Sequence, residues 1–474
     1  MRDRLILLGA ALAAFGASLG SGFHFDDYAI FSDPALTSPG GWLHIWGLRQ
    51  TRPLTYLTYW LNYRVGGTDP LGYHVLNLIL HLAAVWLAYE CLRRMVPQRI
   101  AWLAAAIFAI HPLQAEAVDY IWGRSIVLAT ALCLGSLLAW IAGRRSVAVA
   151  CFALALLAKE ECAAFPLVLL LLSWDKPSKR GKWPVAAMLA LALGAGLRVV
   201  WAAAVTPGAQ AGSRAGITPV NYGLAQGVAI FRYLRLLLIP WGFSVDPDIR
   251  IPAVWIGALA WVTILSLAVF AWRRHTIWGV WLIAGLVLLL PSSSVFPAAD
   301  LAADRRMYLP LFAFAVAAAA LLDRIPGRVL ICVPLLGISV FRTQVWASDE
   351  ALWREAVAQA PRKVRPRIQL ARALNPPEAL GVLDEARRLA PNDPAIAAET
   401  GRTLLASGNA AAALSEFGRA LALNPRDPEN YNNRGVALAA LGQYQAARLD
   451  FQRALELSPG FTSAAENLRK IQGR

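Results

Sequence analysis

Long apolar stretches punctuated by short basic clusters make up the first two thirds of the chain. The runs lie near 5–22, 72–92, 99–112, 125–142, 146–158, 161–174, 184–204, 253–272, 277–291, 307–322 and 328–341. A helix of roughly 20 apolar residues crosses the hydrocarbon core, so the pattern predicts about eleven transmembrane helices. Segment 223–240 differs, because Arg232 and Arg235 stand in mid-run. Each would cost roughly 2.5–3.5 kcal/mol at a bilayer centre, which predicts an interfacial or partly inserted helix. The clusters Arg2/Arg4, Arg93/Arg94/Arg99, Arg144/Arg145, Lys176/Lys179/Arg180/Lys182, Arg273/Arg274 and Arg324/Arg328 are assigned to the cytoplasm by the positive-inside rule. The N-terminus is then inside and the C-terminus outside. No Ala-x-Ala site follows the first run, which therefore reads as a retained anchor.

The last quarter changes pattern. Pro391, Pro425 and Pro459 recur every 34 residues, and so do the pairs Gly401/Gly435, Gly408/Gly442, Ala412/Ala446, Phe417/Phe451 and Ala420/Ala454. That period is the tetratricopeptide signature of stacked helix pairs. Two units are clear at 391–424 and 425–458, an earlier one near 361–390 is a turn short, and 460–474 reads as a cap. The expected fold is all-α: a polytopic membrane bundle over 1–341, a junction over 342–360, and a short α-solenoid over 361–474.

Composition agrees with this division. Of 474 residues 57% are hydrophobic and 16% charged, with a mean hydropathy of +0.48, which excludes a soluble enzyme along the whole length. Residues 1–341 carry 27 Lys and Arg against 16 Asp and Glu, and the remaining 133 carry 18 against 14. The net charge of +15 is therefore mostly basic flanking of apolar runs and does not indicate nucleic acid. The five cysteines form no CxxC pair and read as small core residues.

In this topology twelve of the sixteen acids of the membrane body gather at the outer face, so chemistry is expected there. Asp26 and Asp27 follow the first span directly, between aromatic neighbours. Adjacent carboxylates raise one another's pKa, which suits a general base for an acceptor hydroxyl. Arg232, Arg235, Arg305 and Arg306 are candidates to hold an anionic lipid phosphate. Further substrate-site candidates are Arg52, His74, His111, Glu116, Arg124, Lys159, Glu160 and Tyr308. His74, Asn77 and His81 share one helix face but lack the partners of a familiar metal spacing; bonding between helices is the expected role. No metal site is assigned, although two aspartates leave a divalent ion open.

Taken in order, the motifs resemble one family: the transmembrane-and-tetratricopeptide O-mannosyltransferases, of the multi-span, lipid-dependent GT-C type. They are Phe25-Asp26-Asp27-Tyr28, Arg52-Pro53-Leu54-Thr55, Leu61-Asn62-Tyr63, Gly72-Tyr73-His74 with Asn77 and His81, His111-Pro112 with Glu116 and Val118, Gly123-Arg124, Ala158-Lys159-Glu160, Arg232 to Leu237, Arg305 to Pro310, and Trp346 to Trp353. Ile126 stands where the family carries an acid, and Asp304 where it has Glu. The resemblance implies transfer of mannose or a similar sugar from a polyprenyl-phosphate donor to a protein or glycan hydroxyl outside the cytoplasm. It implies one of Asp26 and Asp27 as base, the arginines as phosphate contacts, and repeats that engage the acceptor or a partner protein. A bacterial inner membrane with periplasmic repeats is the expected location, or the endoplasmic reticulum membrane in a eukaryote. The competing reading is a membrane scaffold recruiting proteins through its repeats; a transporter would place polar groups at the bilayer midplane.

Overall fold

The computed structural model describes residues 1–173, 182–206, 211–212, 215–294 and 296–472. Lys176, Lys179 and Arg180 lie outside these residues, as does the side chain of Lys182. The chain divides into two compact units, Met1–Ser348 and Asp349–Arg474. Among the described residues both are helical, with no strand beyond one isolated bridge between Ala211 and Ala298.

In the first unit six helical stretches are long and apolar enough to cross a membrane: Arg2–Gly20, Pro70–Leu92, Ile121–Ile141, Trp183–Val205, Val254–Arg273 and Arg328–Trp346. Gln98–Ile110 and Pro112–Val118 are an apolar helix pair bent by 47° at Pro112, which lacks the amide needed to continue the helix. Arg145–Ala158 and Ile277–Leu289 are shorter apolar helices. The unit is a multi-pass membrane body. The run at 161–174, expected to be a span, is instead a tight turn at Glu160–Ala164 followed by an eight-residue helix, Phe165–Leu172. Eight residues rise about 12 Å, well short of a crossing. All but the last two residues of segment 223–240 lie within the helix Pro219–Leu238. It buries Tyr222, Ala225, Gln226, Ala229, Tyr233 and Leu236 and exposes Phe231, Arg235 and Leu238. That two-faced pattern reflects the arginines that interrupt its apolar run.

At one end of Pro70–Leu92, buried Glu90 binds Arg4 at 2.6 Å, Arg93 at 2.9 Å and Arg94 at 2.8 Å. One carboxylate thus ties the first helix to the Arg93/Arg94 cluster. At the other end Asp69 accepts from the Leu71 amide, with Pro70 opening the helix.

The second unit shows why its period is strict. Asp393 and Asp427 cap helices that begin with Pro394 and Pro428. Gly408 and Gly442 turn the chain between paired helices at φ +83° and +77°, a conformation that glycine adopts without strain. Gly401 and Gly435 lie where a Cβ would stand 2.7 and 2.6 Å from the rings of Phe417 and Phe451. Small residue and aromatic ring are therefore one contact, repeated every 34 residues. The degenerate earlier unit has a first helix of 9 residues, Arg365–Ala373, against 13 in each of the next two.

A Gly435→Ala substitution should destabilise this unit by about 1–3 kcal/mol through overpacking against Phe451. Gly418→Ala, where nothing lies within 4 Å of the added carbon, should be neutral or stabilise by up to about 1 kcal/mol. Denaturant unfolding of both variants, followed by circular dichroism, checks the contrast.

Candidate active site

The acidic pair sits in a tight turn, Phe25–Tyr28, directly after the first apolar helix. Its two carboxylates have different surroundings. Asp27 is fully buried; one oxygen accepts from the His24 amide at 2.9 Å and the other from the Trp122 amide at 2.8 Å. Burial pushes its carboxyl up to about 7, against the two amides that pull it down and with Asp26 adding to the rise. Asp26 is exposed and lines a cavity of about 630 Å³. The polar wall of this cavity includes Arg52, Lys159, Glu160, Arg305 and Arg306, and its apolar wall comes from Ala192 to Val200 of the helix Lys182–Val205.

The cations of the cavity differ in how far their charge is answered. Arg52 grips Glu160 with two bonds, Nε to Oε2 at 3.0 Å and Nη2 to Oε1 at 2.6 Å. Burial raises the Glu160 carboxyl, and the Arg52 charge and hydrogen bonds outweigh it, bringing it down to about 2. Arg305 is committed to Glu116, which accepts from both its amide and its guanidinium. Arg306 is 8% exposed, and its hydrogen-bond partners are neutral: the Asp300 carbonyl at 2.8 Å, the Leu301 carbonyl at 3.3 Å and the Tyr222 hydroxyl at 3.4 Å. Among the described residues no carboxylate stands within ion-pair distance of it. Lys159, 3% exposed, has Glu161 at 3.4 Å. Burial brings its ammonium down to about 8.

The remaining candidates hold the frame. Arg232 pairs with Asp304 through two bonds, and Arg235 is exposed and donates to the Trp241 carbonyl at 3.1 Å. Neither lines the cavity, so of the four arginines expected at a phosphate only Arg305 and Arg306 reach it. His111 is a cap: its Nδ1 accepts from the Leu113 amide at 3.1 Å and its Nε2 meets the Leu237 carbonyl at 3.1 Å. His74 Nε2 reaches the Gly22 carbonyl at 3.2 Å, beneath the acidic turn. Tyr308 is buried and bonds His81 Nδ1 at 2.7 Å. Asn77 donates to the Val118 and Tyr120 carbonyls.

Arg124 is fully buried without an acid partner among the described residues. Its guanidinium bonds Asn77 at 2.7 Å, Asn62 at 2.7 Å, Thr58 at 3.2 Å and the Tyr73 carbonyl at 2.9 Å, and it lies over the Tyr59 ring. It joins three helices by their polar atoms. Gly123 before it is obligatory, since a Cβ would stand 2.7 Å from the Ala117 carbonyl oxygen. Among the described residues no three His, Cys, Asp or Glu side chains are grouped to hold a metal ion.

The sequence reading missed Trp122, Ser125, Tyr222 and Asp300, all of which line the cavity. Trp122 and Ser125 flank the Gly123-Arg124 motif, so proximity to a motif was the available signal. Tyr222 carried none, because Arg306, which it bonds, is 84 residues away; Asp300 stands five and six positions before Arg305 and Arg306, which it meets.

Comparison with known proteins accords with this architecture. Residues 398–460 match the tetratricopeptide repeat family model. The chain is similar to protein O-mannosyl-transferases. It is 33% identical over 162 residues to F38B6.6 of Caenorhabditis elegans, covering 30% of this chain and 24% of that protein. It is 45% identical over 95 residues to Tmtc1 of Drosophila melanogaster, covering 20% and 11%. With human TMTC1 it shares 36% over 165 residues, covering 31% and 18%. These matches span about a quarter or less of the relatives' length. Among solved structures, ArnT from Cupriavidus metallidurans bound to undecaprenyl phosphate aligns over 90% of this chain and 80% of that one, at 15% identity and a TM-score of 0.41.

Asp27→Asn leaves one of the two amides facing an NH₂ group and should destabilise the membrane unit by about 1–3 kcal/mol, whereas Asp26→Asn should leave stability unchanged. Because the Asp27 carboxyl is raised from 3.8 to about 7, the folded state keeps a proton that the unfolded chain has released. Its contribution to stability therefore declines as pH climbs from about 4 to 7. Thermal melts of the wild type and both variants across that range, in detergent, check the effect: the decline should flatten in Asp27→Asn alone.

Proposed function

We propose that the protein is an integral-membrane glycosyltransferase that moves mannose or a similar sugar from a polyprenyl-phosphate donor to a hydroxyl on a protein or envelope glycan. The observation that carries this reading is a cavity lined by an accessible carboxylate, Asp26, by two buried cations, Arg306 with neutral partners and Lys159 beside Glu161, and by an apolar helical wall. An amphiphilic donor needs those three surfaces together. The names of the relatives supply the class of reaction.

In this mechanism Asp26 takes the proton of the acceptor hydroxyl as its oxygen forms a bond to the anomeric carbon. The bond from that carbon to the phosphate oxygen breaks, and the electron pair leaves with the lipid phosphate. Arg306 and Lys159 stabilise the departing charge, so the leaving group needs no proton. Attack opposite the phosphate inverts the anomeric configuration. Arg305, held by Glu116, and Arg52, held by Glu160, keep the walls in place. The cavity opens at the extracytoplasmic face in a topology with the N-terminus in the cytoplasm of a bacterium and the repeats in the periplasm. There the repeats engage the acceptor chain or a partner.

Transfer from radiolabelled polyprenyl-phosphate sugar in nanodiscs tests the reading. Asp26→Asn should lower kcat by at least about 100-fold with the donor KM nearly unchanged; retained transfer by a well-folded variant would contradict the assignment. Donor affinity should fall as pH rises through about 8, where the Lys159 ammonium of the free cavity loses its proton. Lys159→Met should weaken donor binding about 10- to 100-fold at neutral pH and remove that dependence, measured as KM against pH. Deleting 361–474 should leave donor binding intact and raise the KM for a polypeptide acceptor.

A further inference from the structure

The cavity wall carries both the acidic turn and buried basic residues. Asp26 belongs to the acidic turn. Tyr222, bonded to Arg306 and to the Ser292 carbonyl, belongs to the basic part. A donor with its phosphate on Arg306 and its anomeric carbon within reach of a hydroxyl on Asp26 has its sugar ring between them. Trp122 lines the same cavity, tied to the acidic turn by its own backbone. Its amide donates to Asp27 at 2.8 Å, so the ring is set in register with the neighbouring Asp26.

The indole is also held from behind. It stacks on Tyr59 with centroids 5.6 Å apart and planes 7° from parallel, and Tyr56 meets it edge-on at 6.0 Å. Tyr59 is fully buried, its hydroxyl donating to the Ile121 carbonyl at 3.0 Å, and it is not part of the cavity wall. What Trp122 presents to the cavity is therefore the side turned away from Tyr59. The indole plane is thus fixed beside the acidic turn and only partly covered.

We infer that Trp122 is the platform for the transferred sugar: its ring covers the C–H face of the pyranose and orients the anomeric carbon between Asp26 and Arg306. The C–H edges of a sugar carry partial positive charge and meet the negative face of the π-system, while the hydroxyl edge stays free for the polar wall. Covering that face also removes water from one side of the reacting carbon. Trp122 is on this account a specificity-determining residue, recognising a hexose and not the lipid or its phosphate. The inference rests on the glycosyltransferase reading and adds the residue that reads the sugar.

The test compares two probes on the full chain in nanodiscs: polyprenyl-phosphate mannose and the same polyprenyl phosphate without sugar. The wild type should bind the sugar-bearing lipid more tightly. Trp122→Leu should reduce that preference by about tenfold or more and leave affinity for the bare lipid phosphate unchanged; Trp122→Phe, with a smaller ring, should fall between. An equal loss for both probes, or a preference untouched in both variants, overturns the platform while leaving the transferase reading standing. A wild type that binds neither lipid overturns that reading itself and the platform with it. Should Trp122→Leu fail to fold, Trp122→Phe still decides: a preference identical to that of the wild type refutes the platform.

Discussion

The site depends on a carboxylate that faces no solvent. Asp27 holds the His24 amide on one oxygen and the Trp122 amide on the other, and so joins two tight turns almost a hundred residues apart. Burying an ionisable group is costly unless its bonding is complete. Here backbone amides complete it in part, and the remaining penalty appears as a carboxyl raised to about 7. Asp26 follows from this arrangement: with its neighbour turned inward, it is the one left at the cavity. Adjacent acids that look equivalent in the chain thus take different places, one bonding two turns together and the other facing the cavity.

A second constraint is the pairing of buried charge. Most cations of the first unit's polar layer are answered at once, Arg52 by Glu160, Arg232 by Asp304 and Arg305 by Glu116. Breaking such pairs would strand a charge in a low dielectric, so these groups are framework. Arg124 reaches the same end with neutral partners, its donors spread over two asparagines, a threonine and a carbonyl. Arg306 also meets only dipoles, and unlike Arg124 it lines the cavity.

The repeats obey a simpler rule. A glycine and a phenylalanine spaced 16 residues apart meet across each helix pair, and the Asp-Pro openings restart the helices at the same interval. Each unit depends on its neighbours alone, which is why a sequence period translates directly into structure. Local geometry suffices there; in the membrane body it does not.

Periodicity by itself determined the helical class, the apolar runs and the 34-residue array, because hydrophobic patterning and turn glycines act over a few residues. It also marked the acidic turn, whose position after an apolar run is a local fact. The run at 161–174 misled, since an apolar stretch can be buried as a turn and a short helix as well as a span. Only the tertiary structure decided which aspartate faces the cavity, which arginines are spent on partners, and that Trp122, Tyr222 and Asp300 share a wall with Asp26. Those outcomes rest on contacts between residues tens to hundreds of positions apart, where the energy of a buried charge depends on what the fold brings beside it.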